Sequence, residues 1–358
     1  MTHGWLNQDL SFGRVNLTQK AILAKHLALM LNSGLTLTEA LTVAIDSVGG
    51  VLKTVLKRVA QAVESGTTFS AALAAHPKIF SGVFISAVYA GERSGNLATN
   101  LVNLSRALEK ERALLAKVKG AMVYPIIVLV AAVLLGLGIA FFILPKITPL
   151  FKGLQIDLPW TTRVLIRGAD FLDQYGLIFG LALAIGVIFL WWLARQRFAA
   201  PVTHWLILRL PVFGRLATNL NLARLAGTLS LLLKSGVSID ETFLIAELTL
   251  GNFYYRRALR RAASDIGRGL KLSASLEQFP KFFPLLFTRL ARVGEVSGKF
   301  EDTFFYLADF YEDEVDSAAK SLATTLEPLL LLFIGLVVAG LALSIITPIY
   351  ELTGNIKR

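Results

Sequence analysis

The chain has 358 residues, 54% hydrophobic and only 17% charged, with a mean hydropathy of +0.61, which is too apolar for an ordinary soluble protein and points to membrane-spanning segments. Lys and Arg number 36 against 25 Asp and Glu, a net charge of +11; on so apolar a chain this surplus suits cytoplasmic segments facing anionic lipid, and it is not read as nucleic-acid binding. The absence of cysteine excludes a disulfide framework, a thiolate zinc site and a cysteine nucleophile.

Residues 1–17 form a short tail without the basic start and apolar core of a signal peptide. The run TQKAILAKHLALMLNSG then spaces apolar residues at three and four and stops at Gly34, which suits a left-handed helix cap. TLTEALTVAI restarts with Thr36 and an acid soon after, a helix start. From Asn96 a long helical pattern heads toward AMVYPIIVLVAAVLLGLGIAFFIL, the charge-free run 121–144. A bilayer core of about 30 Å needs about 20 such residues. We therefore assign residues 18–120 to a first helical domain and 121–144 to a first span, followed by a loop over 145–175. A second span follows at 176–194, its Trp191 and Trp192 suited to the headgroup interface. A linker is expected over 195–219, a second helical domain over 220–325, a third span over 326–350 and a tail over 351–358. No stretch alternates as a strand would. The expected class is all-α: a polytopic membrane protein with three transmembrane helices and two duplicated cytoplasmic helical-bundle domains.

The duplication is written in the residues. LNSGLTLTEAL at Leu31–Leu41 answers LKSGVSIDETF at Leu233–Phe243, an offset of 202, and GERSG at Gly91–Gly95 answers GEVSG at Gly294–Gly298, an offset of 203. Glu111, Pro125 and Pro145 meet Glu314, Pro328 and Pro348 at the same 203. Each repeat is a helical domain followed by one span. Joined directly, two such units would put their domains on opposite membrane faces; the unmatched middle span restores one side. Lys117 and Lys119 before the first span, with Arg195 and Arg197 after the second, place both domains and the N-terminus in the cytoplasm. The 145–175 loop and the C-terminus then lie outside.

Gly-Glu-x-Ser-Gly reads first as a tight interhelical turn, Gly91, Gly95, Gly294 and Gly298 shaping it and Ser94 or Ser297 capping the next helix; Gly34 and Gly236 mark the earlier turn of each repeat. A second reading adds chemistry: Glu92 and Asn96 are four apart and, with Glu39, could present oxygen ligands to a hard cation. In the second repeat Glu241 and Glu295 persist, but Lys299 stands where Asn96 would be and opposes a metal. GEVSGKF is not a phosphate loop, having three residues between its glycines and Phe300 after the Lys. No convergent acid, base or nucleophile appears, so no enzyme activity and no required cofactor are expected. The acidic run Glu312, Asp313, Glu314, Asp316 and the basic cluster Arg256, Arg257, Arg260, Arg261 are either partner-contact surfaces or solvated helix faces.

The duplicated Ser-Gly and Gly-Glu-x-Ser-Gly turns, the two helical domains and three spans in this order resemble the inner-membrane platform family of type II secretion systems and type IV pili. The resemblance runs from about Gln19 to Tyr350. It implies a bacterial inner-membrane, non-enzymatic scaffold that contacts a cytoplasmic assembly ATPase, pilin or pseudopilin subunits and other inner-membrane assembly proteins. Some family members bind calcium at positions matching Glu39, Glu92 and Asn96, but the usual acid is replaced here by Asn96. Besides membrane lipid, further copies of the chain are expected partners. The competing readings are a small transporter or channel subunit, for which charge-free spans offer a poor pathway, and a membrane enzyme.

Overall fold

The computed structural model describes residues 15–139, 160–194, 196 and 198–355. Most of the 1–17 tail, Arg195, Arg197, the end of the first expected span and residues 145–159 of the expected loop lie outside the described residues. Those described are helical, with no strand among them.

The first repeat contributes α1 (Leu17–Asn32), α2 (Leu37–Ser47), α3 (Gly50–Glu64), α4 (Phe69–Ala74), α5 (Gly82–Ser94) and α6 (Leu97–Gly138). Two helices without a repeat mate follow, α7 (Trp160–Ala194) and α8 (Ala200–Arg209). The second repeat supplies α9 (Pro211–Lys234), α10 (Ile239–Thr249), α11 (Phe253–Ile266), α12 (Leu272–Glu277), α13 (Leu285–Ser297) and α14 (Phe300–Asn355). The connection expected over 145–175 is thus helical from Trp160 onward, and most of the 195–219 linker belongs to α8 and the first turns of α9.

Two compact units result. One takes in the chain up to Lys117 together with His204–Ser317; the other comprises Val118–Thr203 and the chain from Ala318. In the first unit each helix packs on its neighbour in sequence, α1 to α5 in one repeat and α9 to α13 in the other. The cores are built from small and large apolar residues in alternation: Ala24, Leu27, Leu41, Leu56, Phe69 and Phe84 in the first repeat, and Phe243, Tyr255, Leu259, Phe283 and Phe287 in the second, all nearly inaccessible. The second core is an aromatic chain, Tyr255–Phe283–Phe287–Phe304, with successive ring centroids 6.0, 5.7 and 6.2 Å apart, a spacing at which tilted and edge-on pairs attract.

Among the described residues, four helices hold stretches long and apolar enough to cross a membrane: Leu97–Gly138, Gln174–Ala194, Phe213–Lys234 and Phe300–Gly340. Three of them overlap the spans expected from sequence. The fourth lies in α9, and more than half of its apolar window is buried; Leu222, Leu225, Leu229 and Leu232 on α9 are core residues, so its hydropathy is spent on packing. The helices α6 and α14 each run unbroken from the bundle into an apolar segment, as their sequence patterns suggest. α6 continues through Pro125, which supplies no N–H for the turn below it.

Candidate functional site

The repeated turns show what each motif residue does. At the Ser-Gly turns Gly34 (φ 90°) and Gly236 (φ 88°) adopt the left-handed conformation that favours glycine. The next amide closes back three residues into the helix: Leu35 N–H donates to the Met30 carbonyl and Val237 N–H to the Leu232 carbonyl, at 3.1 and 3.0 Å. This is a Schellman ending written twice.

In Gly-Glu-x-Ser-Gly the first four residues are the last turn of α5 or α13, and only Gly95 and Gly298 are the left-handed cap, both at φ 72°. Ser94 therefore does not cap the next helix. Its hydroxyl donates back to the Ala90 carbonyl, and Ser297 donates likewise to Val293, both at 2.8 Å, but Ser297 also accepts from the N–H of Lys299, the residue ahead of α14, at 3.3 Å. Gly91 and Gly294 are buried contact points. A methyl group on Gly91 would come within 2.9 Å of Leu97 Cα, and one on Gly294 within 2.9 Å of Thr303 Oγ1.

The acid reaches furthest. The Glu92 carboxylate accepts from Phe69 N–H at 2.6 Å and Ser70 N–H at 2.9 Å, satisfying the amides that open α4 and have no partner within the helix. Glu295 repeats the contact on α12, accepting from Leu272 N–H at 2.6 Å, Ser273 N–H at 3.4 Å and the Ser273 hydroxyl at 2.7 Å. Glu39 acts locally. With Thr36 it forms a capping box on α2, and hydrogen bonds from the Thr36 backbone and hydroxyl hold its carboxyl below the usual carboxylate range. Glu241 starts α10 without a side-chain cap bond. Both oxygens of Glu92 and one of Glu39 are thus already engaged by N–H and O–H donors, while Asn96 is exposed. Among the described residues no three His, Cys, Asp or Glu come together as a metal site.

The charged clusters also have internal partners. In the basic helix α11, Arg260 donates from Nε to buried Glu247 on α10 at 3.0 Å, and Arg261 lies 3.5 Å from buried Asp265, which also accepts from the Ser275 hydroxyl at 2.9 Å. These two arginines neutralise buried carboxylates. Arg257 is exposed and Arg256 partly so, with no ion pair to any described residue. The acidic run on α14 is paired within the unit: Glu312 and Asp309 share Lys110 and Asp316 lies 3.4 Å from Lys117, both lysines in the first repeat, while Glu314 accepts from Arg215 of α9 at 2.9 Å. Burial pushes the Glu312 carboxyl up against the opposing pull of Lys110. The Lys110 ammonium is held up by Asp309 and Glu312 despite its own burial, which acts the other way. Asp313 alone of the run is exposed without such a partner among the described residues.

This is a twofold-written helical bundle with structural carboxylates, borne on helices that continue into apolar segments. Comparison with known proteins gives the same class. The family model described as "Type II secretion system (T2SS), protein F" matches twice, over residues 23–145 and 225–348. The type IV pilus assembly protein PilC of Thermus thermophilus is 38% identical over 343 residues, covering 94% of this chain and 83% of that protein. The PilC of Myxococcus xanthus is 31% identical, covering 97% and 83%, and the type II secretion system protein F of Aeromonas hydrophila is 33% identical, covering 95% and 88%. The chain belongs to the type II secretion system protein F family, the inner-membrane platform proteins shared by type II secretion and type IV pilus machines.

Proposed function

We propose that this chain is the platform that couples a cytoplasmic assembly ATPase to the polymerisation of pilin or pseudopilin subunits. The observation that carries the reading is the pairing of both repeats in one unit, with a membrane-length apolar helix leaving each repeat. A duplicated bundle gains from sharing one side of the membrane only when both copies serve the same compartment. The odd middle span supplies that parity, and the flanking basic residues assign the side to the cytoplasm. The chain carries no nucleotide motif, so the energy for moving subunits arrives through a protein partner. Reporter fusions near Arg112 and near Glu312 should both read cytoplasmic, and one near Leu158 external. Opposite sides for the first two would sink the parity argument.

The contact for that partner is best sought at Arg256 and Arg257. Reversing Arg260 would set a second acid against buried Glu247, and reversing the α14 run would break pairs within the unit; either could abolish assembly through misfolding. Arg256→Glu with Arg257→Glu should leave the helical melt within about 0.5 kcal/mol of wild type, as surface substitutions do, while abolishing assembly or secretion. Wild-type assembly by this double variant removes the surface from consideration. A cation at Glu39, Glu92 and Asn96 remains part of the proposal only as a weak site, because Asn96 is neutral and the carboxylate oxygens compete for backbone donors.

A further inference from the structure

The two repeats meet along the mate helices α6 and α14, where Lys110 and Lys117 pair with Asp309, Glu312 and Asp316, and through a second contact made by unlike surfaces. α5 of the first repeat packs on α9 and α10 of the second. A methyl group built on Gly82 would lie 3.8 Å from Ile245 Cγ2, and Leu231 of α9 is 7% exposed within the first repeat's own core. Buried Asn100 donates from Nδ2 to both Ala87 and Ser235 carbonyls at 3.1 Å, tying α6 to the second repeat's Ser-Gly turn. A twofold relation would require the converse contact, α13 on α1 and α2. Among the described residues α13 makes no comparable packing there. The contact is therefore head to tail, and each chain is left with one unused half of it at each end.

Those halves are apolar. On the first repeat Leu29, the mate of Leu231, is 65% exposed, and Val43, the mate of Ile245, is 52% exposed. On the second, Leu285 stands where Gly82 does in the first and is 62% exposed, while Val293 and Val296, eight and eleven residues further along α13, are 57% and 79% exposed on the same helix face. Single exposed apolar residues need no explanation, but a matched pair of faces does. We propose that α13 of one copy docks on the α1–α2 face of the next copy, repeating between chains the contact that joins the two repeats within a chain. The polar anchor is not carried over, since the mate of Asn100 is Thr303, whose hydroxyl donates to its own Lys299 carbonyl. Larger side chains replace it: Leu285 and Leu286 stand where the first repeat has Gly82 and Val83. A contact of this kind adds copies in one direction and closes a ring where the rotation permits. The inference is independent of which way the chain faces the membrane and of what its machine exports.

The chain has no cysteine, so the contact can be read by cross-linking in the full-length protein. Leu285→Cys and Val43→Cys are placed in separate copies, purified in detergent, mixed and oxidised. The mixed pair should form a disulfide dimer about tenfold faster than either variant alone, because docking raises the effective concentration of the two thiols. Both cysteines on one chain should give a ladder of higher oligomers. Dimers from Leu285→Cys alone at the mixed-pair rate would show a symmetric contact and overturn the proposal, as would slow cross-linking in every mixture, the result expected if another protein covers α13. Leu285→Glu with Val296→Glu supplies a second readout: with an unchanged circular-dichroism melt it should reduce the native mass, and an unchanged mass would count against the contact.

Discussion

Glu295→Ala should destabilise the cytoplasmic bundle by about 2–4 kcal/mol, and Glu92→Ala by somewhat less within the same range. Each carboxylate satisfies two opening amides of a six-residue helix, and hydrogen bonds to a charged group are worth about 1.5–3 kcal/mol each before solvent exposure discounts them. The difference comes from the helix starts. Thr68 also caps α4, accepting from Ala71 N–H at 3.3 Å, whereas Lys271 opens α12 without a side-chain cap bond. For a domain of 150–250 residues about 1 kcal/mol moves the midpoint by about 2–4 °C, so melts followed by circular dichroism in detergent should separate both variants clearly from wild type. Glu92→Gln should recover part of the loss, keeping one acceptor while giving up the charge. The same Glu92→Ala protein tests the cation. Calcium titrated calorimetrically into the wild type should bind weakly, and tight binding that survived the substitution would show that Glu92 is not a ligand. Indistinguishable melts for both alanine variants would remove the capping role.

How far the sequence could foresee this depends on the reach of each contact. Helix stops at Gly34 and Gly236, the long patterns leading into apolar runs and the capping box at Thr36 and Glu39 are all settled within a few residues, and their signals are local. The partner of Glu92 lies at Phe69 and Ser70, across an intervening loop and helix, and nothing at either end advertises the other. Glu39, Glu92 and Asn96 read as candidate ligands because acids and amides are the oxygen donors available. The fold sets oxygens of Glu39 and Glu92 to receive N–H groups as well, which no local pattern announces. The α14 acids looked like an exposed run for a related reason. Their partners Lys110 and Lys117 sit in the other repeat, and Arg215 lies on α9, so only the meeting of distant helices reveals them. α9 is the converse case, a helix apolar enough to span a membrane that is packed in the bundle. It carries Asn219, Asn221 and Arg224, which a lipid-facing helix would rarely carry.

Gly91→Ala and Gly294→Ala should separate, although the motif writes the two glycines alike. Alanine gains about 0.5–1 kcal/mol over glycine in a helix interior. Against that gain stands overpacking, typically about 1–3 kcal/mol. At Gly91 the nearest atom to a new methyl is Leu97 Cα at 2.9 Å, with Asn100 Cβ at 3.1 Å. Backbone can yield only by moving α6 away from α5, and Asn100 is fixed by its two carbonyl acceptors, one of them in the second repeat. At Gly294 the nearest atoms are Thr303 Oγ1 at 2.9 Å and Thr303 Cβ at 3.1 Å, and the hydroxyl is held only by a local bond to Lys299. A rotation about χ1 relieves the closer contact at the cost of about one such bond. Gly91→Ala should therefore lose about 1–2 kcal/mol net, and Gly294→Ala should stay within about 1 kcal/mol of wild type. The Gly91 variant should also loosen the joint between the repeats, because Asn100 anchors it to Ser235. Limited proteolysis should then cut the Gly91→Ala protein faster than a variant of equal melting temperature altered in the second core. Equal losses at the two glycines would mean that helix spacing adjusts freely at both turns, and that Gly91 is not a rigid contact point.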